Sequence, residues 1–154
     1  MEHSTLLTLD RLSVWYSPGK NVLDDFSLEL GSHEIVGLIG LNGAGKTTFI
    51  KTLSGLISNF QIGTALWQGA AFSFRDRTFK ESRYTVFAED HSFGYFTFRE
   101  YLSYVAASYD VKQPDFSDLV RGFHFEDYVD VLLKELSRGN LKKAYLITAF
   151  ALHP

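Results

Sequence analysis

The sequence predicts an α/β domain in which a buried strand leads through a glycine-rich loop into a helix. Three observations support this fold class. Residues 34–39 form an unbroken apolar run after Glu34, as in a strand of a parallel sheet that is buried on both faces. Residues 40–48 follow at once and contain three glycines and a lysine. Residues from Gly45 to about Ser54 then predict a helix, which Gly55 ends.

The loop at residues 40–48 has the composition of a phosphate-binding loop. Its glycines let the backbone turn sharply and present bare N–H groups to phosphate oxygens, and the helix start adds a positive dipole end. Lys46 supplies a mobile charge for the β- and γ-phosphates, and the Thr47 hydroxyl is suited to bind Mg²⁺. The predicted nucleotide-binding residues are Gly40, Leu41, Asn42, Gly43, Ala44, Gly45, Lys46, Thr47 and Thr48.

Composition limits the other classes of function. The 154 residues suit one domain, and 45% hydrophobic residues are enough for a core. With 15 Lys and Arg against 18 Asp and Glu and no basic run, we expect no nucleic-acid partner. There is no cysteine and no signal-peptide pattern. The longest apolar stretch, residues 144–152, is shorter than the ~20 residues of a membrane span, so any membrane role is expected to be peripheral.

The predicted elements around the loop are strands before it and mostly helices after it. Residues 6–16 and 22–30 form two strands joined by a turn, and Leu12, Val14 and Tyr16 share one face of the first strand. Residues 60–75 predict short strands and turns, and residues 84–88 predict another strand.

Three helical stretches are expected in the second half of the chain. Thr97 and Glu100 predict a capping box at the start of a helix. A mainly helical stretch follows over residues 118–136, and residues 137–140 interrupt it. Residues 141–152 are apolar nearly all round, which predicts a helix buried from several sides.

Together with Tyr16 and the loop, the segment Leu136-Ser137-Arg138-Gly139-Asn140 gives the chain a resemblance to the ATP-binding subunit of ABC transporters over essentially its whole length. The resemblance implies a P-loop NTPase core with an N-terminal antiparallel β subdomain and an α-helical subdomain. It implies one incomplete nucleotide-binding domain over residues 1–154. Its expected parts are the β subdomain with the core (1–90), the helical subdomain (91–136), and the signature motif with its helix (137–154).

The resemblance also assigns roles to individual residues. Tyr16 stands where the family has an aromatic residue that stacks on adenine, a contact worth on the order of 1 to 3 kcal/mol. Ser137 and Gly139 match the family's signature motif, which contacts the γ-phosphate of ATP held by a second subunit, whereas Arg138 and Asn140 depart from it. Lys46 is the expected catalytic residue, and ATP and Mg²⁺ are the expected cofactors.

A second departure lies where the family has a glutamine that touches Mg²⁺ and the attacking water. Ala88 stands at this position and cannot bind a metal or donate a hydrogen bond. We hypothesise that Glu89 substitutes for the glutamine through a shift of register; the alternative is that Glu89 and Asp90 form a solvated loop.

In the family, the buried helix is followed by a strand that ends in Asp-Glu and by a later histidine, and the sequence stops at Pro154 before all three. Without the groups that orient water, residues 1–154 are expected to bind nucleotide and to hydrolyse it weakly or not at all. The missing strand would also leave an apolar edge open, which predicts a marginally stable or aggregation-prone product.

The implied partners are membrane-spanning transporter subunits and a second ATP-binding subunit, identical or different, at the cytoplasmic face of a bacterial membrane. Two alternatives stay open. One is a small soluble P-loop kinase or NTPase in which Glu89 and Asp90 hold Mg²⁺. The other is a truncated module that binds ATP without hydrolysing it.

Overall fold

The computed structural model describes residues 4–87 and 92–152, and the chain divides into two compact units. The first unit ends at Lys80 and the second begins at Glu81. Within the described ranges, no helix is both long and apolar enough to cross a bilayer.

The first unit contains an antiparallel sheet and the helix that follows the glycine loop. The elements are β1 (Thr5–Ser17), β2 (Lys20–Gly31), α1 (Lys46–Leu53), β3 (Phe60–Gln61), β4 (Thr64–Trp67) and β5 (Ala70–Ala71), followed by α2 (Arg77–Glu81), whose last residue begins the second unit. The strands lie in the order β2-β1-β4-β5, and β3 also pairs with β1. The predicted hairpin, the short strands after residue 60 and the helix after Gly45 are confirmed.

The core of this unit lies on one face of β1. Leu7 and Leu9 point inward, and a register shift between Leu9 and Leu12 moves the alternation by one residue. Leu12 and Val14 therefore point inward too, and both are fully buried. Phe49 of α1 packs within this same cluster, so the hairpin and the loop helix share one core.

The strand predicted over residues 34–39 is not formed, so this prediction is wrong. These residues form no regular element, and Ile35 and Ile39 are 103% and 94% exposed. A parallel strand needs hydrogen-bonding neighbours at its sides, and every strand pair among the described residues is antiparallel. The strand predicted at residues 84–88 is not formed over residues 84–87 either, and Ala88 lies outside the described residues.

The second unit is helical and is built around α3 (Phe98–Ser108), α4 (Ser117–Gly122) and α5 (Arg138–Leu152). The predicted capping box of α3 is confirmed, since Thr97 and Glu100 each hydrogen-bond the backbone of the other. The helical stretch predicted over residues 118–136 is instead α4 and two 3₁₀ turns, Glu126–Tyr128 and Leu133–Glu135. His124 adopts φ 50° just after α4, a conformation that a continuing right-handed helix excludes.

The last helix differs from its prediction at its start and in its burial. It begins at Arg138 because the Ser137 hydroxyl accepts a hydrogen bond from the Asn140 N–H, at 3.2 Å. Residues 137–140 therefore cap and open the helix instead of interrupting a helical stretch. Leu146 and Phe150 are exposed, so burial from several sides is not observed. The buried face consists of Leu141, Ala144, Tyr145, Ile147, Thr148, Ala151 and Leu152.

Candidate functional site

The glycine loop is held in a conformation that only glycine adopts easily. Gly43 and Gly45 both have φ +86°, in the left-handed region. A Cβ atom added to Gly45 would lie 2.7 Å from Leu23 Cδ2 and 3.0 Å from the Val22 carbonyl oxygen. Gly45 is thus required both by its backbone angles and by the hairpin packed against it, whereas Gly43 is required by its angles alone.

The start of α1 is open to an anion. Gly45 occupies the N-cap position and has no side chain that could accept a hydrogen bond from the first-turn N–H groups. No acidic residue lies in the first turn. No carboxylate of its own first turn therefore neutralises the positive end of the helix dipole, as at helix ends that bind phosphate.

The Lys46 side chain folds back over the loop. Its Nζ atom donates hydrogen bonds to the carbonyl oxygens of Gly40 at 2.6 Å and Leu41 at 2.8 Å. No ion pair between Lys46 and a carboxylate occurs in the described part of the chain. Carbonyl oxygens carry no net charge, so these two partners do not form an ion pair with the ammonium group.

A cavity of about 290 Å³ opens at this point. Thr47 is exposed and Thr48 is buried, and the described residues that line the cavity include no acidic side chain. The lining is formed by Val22, Asn42, Gly43, Gly45, Lys46, Thr47 and Thr48. Of the other predicted loop residues, Gly40 and Leu41 hold Lys46 through their carbonyl groups. Ala44 closes the turn with a hydrogen bond from its N–H to the Leu41 carbonyl, at 3.1 Å.

Tyr16 lies beside this loop. Its hydroxyl oxygen is 3.2 Å from the Thr48 hydroxyl oxygen, and the residue is 57% exposed. The structure thus brings Tyr16 next to the loop, although Tyr16 and Thr48 are 32 positions apart in the sequence. The hydrogen bond itself was not expected from the sequence, because no local pattern specifies a contact over that separation.

Ser137 and Gly139 belong to the second unit, at the start of α5. The Ser137 hydroxyl caps the helix, and a Cβ atom added to Gly139 would approach only Ser137 Oγ, at 3.9 Å. No neighbour among residues 81–87 and 92–152 therefore requires glycine at position 139. The Arg138 side chain is exposed.

The predicted residues Ala88, Glu89 and Asp90 lie outside the described residues, as do His153 and Pro154. Within the described ranges, no group of three or more His, Asp or Glu side chains is placed to hold a metal ion.

Comparison with known proteins identifies the family. The family model described as "ABC transporter" matches residues 23–154. The "Putative ABC transporter ATP-binding protein AlbC" of Bacillus subtilis (strain 168) is 35% identical over 157 residues, covering 96% of this chain and 64% of AlbC. The "Uncharacterized ABC transporter ATP-binding protein YthP" of the same organism is 31% identical, covering 90% of this chain and 56% of YthP.

Solved structures agree with the sequence match. The structure titled "Structure of ATP binding subunit of ABC transporter" aligns with a TM-score of 0.77 at 29% identity, covering 97% of this chain and 63% of that one. A nucleotide-free ATP-binding cassette from an ABC transporter aligns at 17% identity with a TM-score of 0.76. The chain spans less than two thirds of the length of AlbC, YthP and the first of these structures. It belongs to the ATP-binding proteins of the ABC transporter family and has their P-loop NTPase fold.

Proposed function

We propose that this chain is the ATP-binding subunit of an ABC transporter and that it binds Mg-ATP at residues 40–48. The proposal rests on one arrangement of groups. Two glycines in the left-handed conformation lead the loop to the open N-terminus of α1. Lys46 lies beside them and has no carboxylate partner among the described residues. These groups fit a polyphosphate because they are all donors or positive charges.

Each side chain at the cavity has a separate task. Lys46 exchanges the carbonyl oxygens of Gly40 and Leu41 for the β- and γ-phosphates. Thr47, exposed at the cavity, binds Mg²⁺ together with phosphate oxygens. The exposed ring of Tyr16 offers a stacking face for adenine. ATP itself supplies the phosphoryl group that the complete transporter transfers to water.

Gly139 supports pairing with a second ATP-binding subunit. Gly139 lies in the exposed first turn of α5, and no packing among the described residues explains a glycine there. We infer that a partner approaches this surface closely, so that Ser137 and Gly139 face the nucleotide held by the partner's loop. A homodimer and a heterodimer both fit this arrangement.

Hydrolysis by this chain alone is expected to be weak. Among the described residues that line the cavity beside Lys46, none carries a carboxylate that could polarise an attacking water. Glu89 remains the proposed substitute for the family's glutamine.

We place the subunit peripherally on the inner face of the cell membrane, docked on membrane-spanning partners. We also propose that the subunit is organised into a β subdomain with the core (1–90), a helical subdomain (91–136) and the signature motif with its helix (137–154).

The soluble kinase alternative is not favoured, because the family match covers residues 23–154. A module that binds ATP without turnover remains the second candidate, supported by the absence of acidic side chains from the described residues that line the cavity.

The test is calorimetric titration of Mg-ATP into the wild-type protein and into Lys46→Ala. Loss of a hydrogen-bonding charge is expected to weaken binding about 10- to 100-fold. Lys51→Ala is the matched control, because Lys51 lies on the same helix but does not line the cavity. Folded wild-type protein with no affinity for Mg-ATP would refute the proposal, and steady phosphate release from this chain alone would refute weak hydrolysis.

A further inference from the structure

We propose that Tyr16 positions the phosphate end of the nucleotide, through a hydrogen bond that orients the hydroxyl of Thr48. The hydroxyl oxygens are 3.2 Å apart, and Thr48 lines the cavity beside Lys46. The inference rests on the proposed function and adds a second role for Tyr16, distinct from the stacking of its ring on the base.

Thr48 is well fixed for such a role. It is 6% exposed and lies in the first turn of α1, where its own carbonyl accepts a hydrogen bond from the Thr52 hydroxyl at 2.8 Å. Thr48 is thus held by the helix and by its burial. The rotation of its hydroxyl proton decides whether the oxygen presents a donor or a lone pair to the cavity.

The number of protons settles which direction the hydrogen bond takes when an anion is present. A hydroxyl group has one proton and two lone pairs. If Thr48 donated its proton to Tyr16, only lone pairs would face the negatively charged phosphates. Tyr16 must then be the donor, so that Thr48 accepts from Tyr16 and donates its own proton to the anion.

The two hydrogen bonds form a chain, and each strengthens the other. Polarisation along such a chain adds about 10–30% per bond. The tyrosine hydroxyl thus acts on the phosphates through Thr48, while the ring face of Tyr16, which is 57% exposed, remains available to a base. Phenylalanine would keep the ring and lose the hydroxyl, so the two roles are separable by one substitution.

The experiment compares two ligands, Mg-ATP and Mg-tripolyphosphate, which has no base. Calorimetric titrations are made with the wild-type protein, Tyr16→Phe, Thr48→Val and the double variant. Tyr16→Phe is expected to weaken both ligands about two- to tenfold, the effect of one net hydrogen bond. In the Thr48→Val background, the same substitution is expected to cause no further loss, because its partner is already absent.

Tyr95→Phe is the matched control, since it removes a hydroxyl from an exposed tyrosine of the second unit and is expected to leave both affinities unchanged. Where Thr48→Val does not fold, Thr48→Ser replaces it. Serine retains the hydroxyl, so the loss caused by Tyr16→Phe should persist in that background.

An unchanged affinity of Tyr16→Phe for Mg-tripolyphosphate overturns the positioning role, whatever happens to ATP, and so do additive losses in the double variant. Both results leave the proposed function standing as long as the wild-type protein binds Mg-ATP. Folded wild-type protein that binds neither ligand overturns the proposed function and this inference together.

Discussion

Replacing Gly45 by alanine should destabilise the first unit through two separable effects. The residue has φ +86°, and placing an L-residue in that region costs about 1–2 kcal/mol. The new Cβ atom would also lie 2.7 Å from Leu23 Cδ2 and 3.0 Å from a backbone oxygen of Val22, and such overpacking costs about 1–3 kcal/mol. The expected loss in the free energy of unfolding is therefore about 2–5 kcal/mol.

Two other glycines separate these effects. Gly19 has φ +77° with no atom within 4 Å of an added Cβ, so Gly19→Ala should lose only the conformational part, about 1–2 kcal/mol. Gly37 has open space and no positive φ, so Gly37→Ala should change stability by less than about 1 kcal/mol. Urea unfolding followed by tryptophan fluorescence suits this series, because both tryptophans, Trp15 and Trp67, lie in the first unit.

Equal losses for Gly45→Ala and Gly19→Ala would refute the packing argument. A further variant tests the identity of the colliding group. In a Leu23→Ala background, Gly45→Ala should cost less than in the wild-type protein, because the nearest atom has been removed.

Two further predictions concern the second unit. Thr97→Ala removes the capping box of α3 and should lower the free energy of unfolding by about 1 kcal/mol in urea denaturation, whereas Ser103→Ala on the same helix should change it by less than about 0.5 kcal/mol. Hydrogen bonds from Arg99, at 2.8 and 3.2 Å, hold the pKa of Asp130 below its usual value. The stability that these bonds add to the folded state is therefore present above pH ~3.9 and is lost as the pH falls through the lowered pKa. A carboxyl NMR titration should find the pKa of Asp130 returned towards its usual value in Arg99→Ala and unchanged in Arg121→Ala, and the opposite pattern would contradict this pairing.

The features that the sequence predicted correctly are those specified within a few residues. The capping box needs only Thr97 and Glu100, and the glycine loop with its helix start lies within residues 40–54. The hairpin depends on the turn at Gly19, whose φ of +77° suits glycine. Each of these signals is complete in its own segment, so the rest of the chain is not needed to interpret it.

The features that it did not predict depend on distant residues. An apolar run such as residues 34–39 becomes a strand only where neighbouring strands supply hydrogen bonds, and the described residues contain no parallel partner for it. His124 adopts a left-handed conformation at the point where the predicted helix gives way to 3₁₀ turns. No pattern in the neighbouring sequence predicts that conformation. In the candidate site, the family resemblance supplied Tyr16, but its bond to Thr48 follows from the way β1 lies beside α1.

The exposed side chains of Ile35, Ile39 and Leu41 affect the choice of buffer anion for experiments on this protein. Sulfate and phosphate are excluded from protein surfaces and so strengthen contacts between apolar groups. In such salts, these three residues would draw separate molecules together, and the same anions would compete with nucleotide for the start of α1. Chloride buffers at low protein concentration avoid both effects, so the choice of anion decides whether a titration measures nucleotide affinity or self-association.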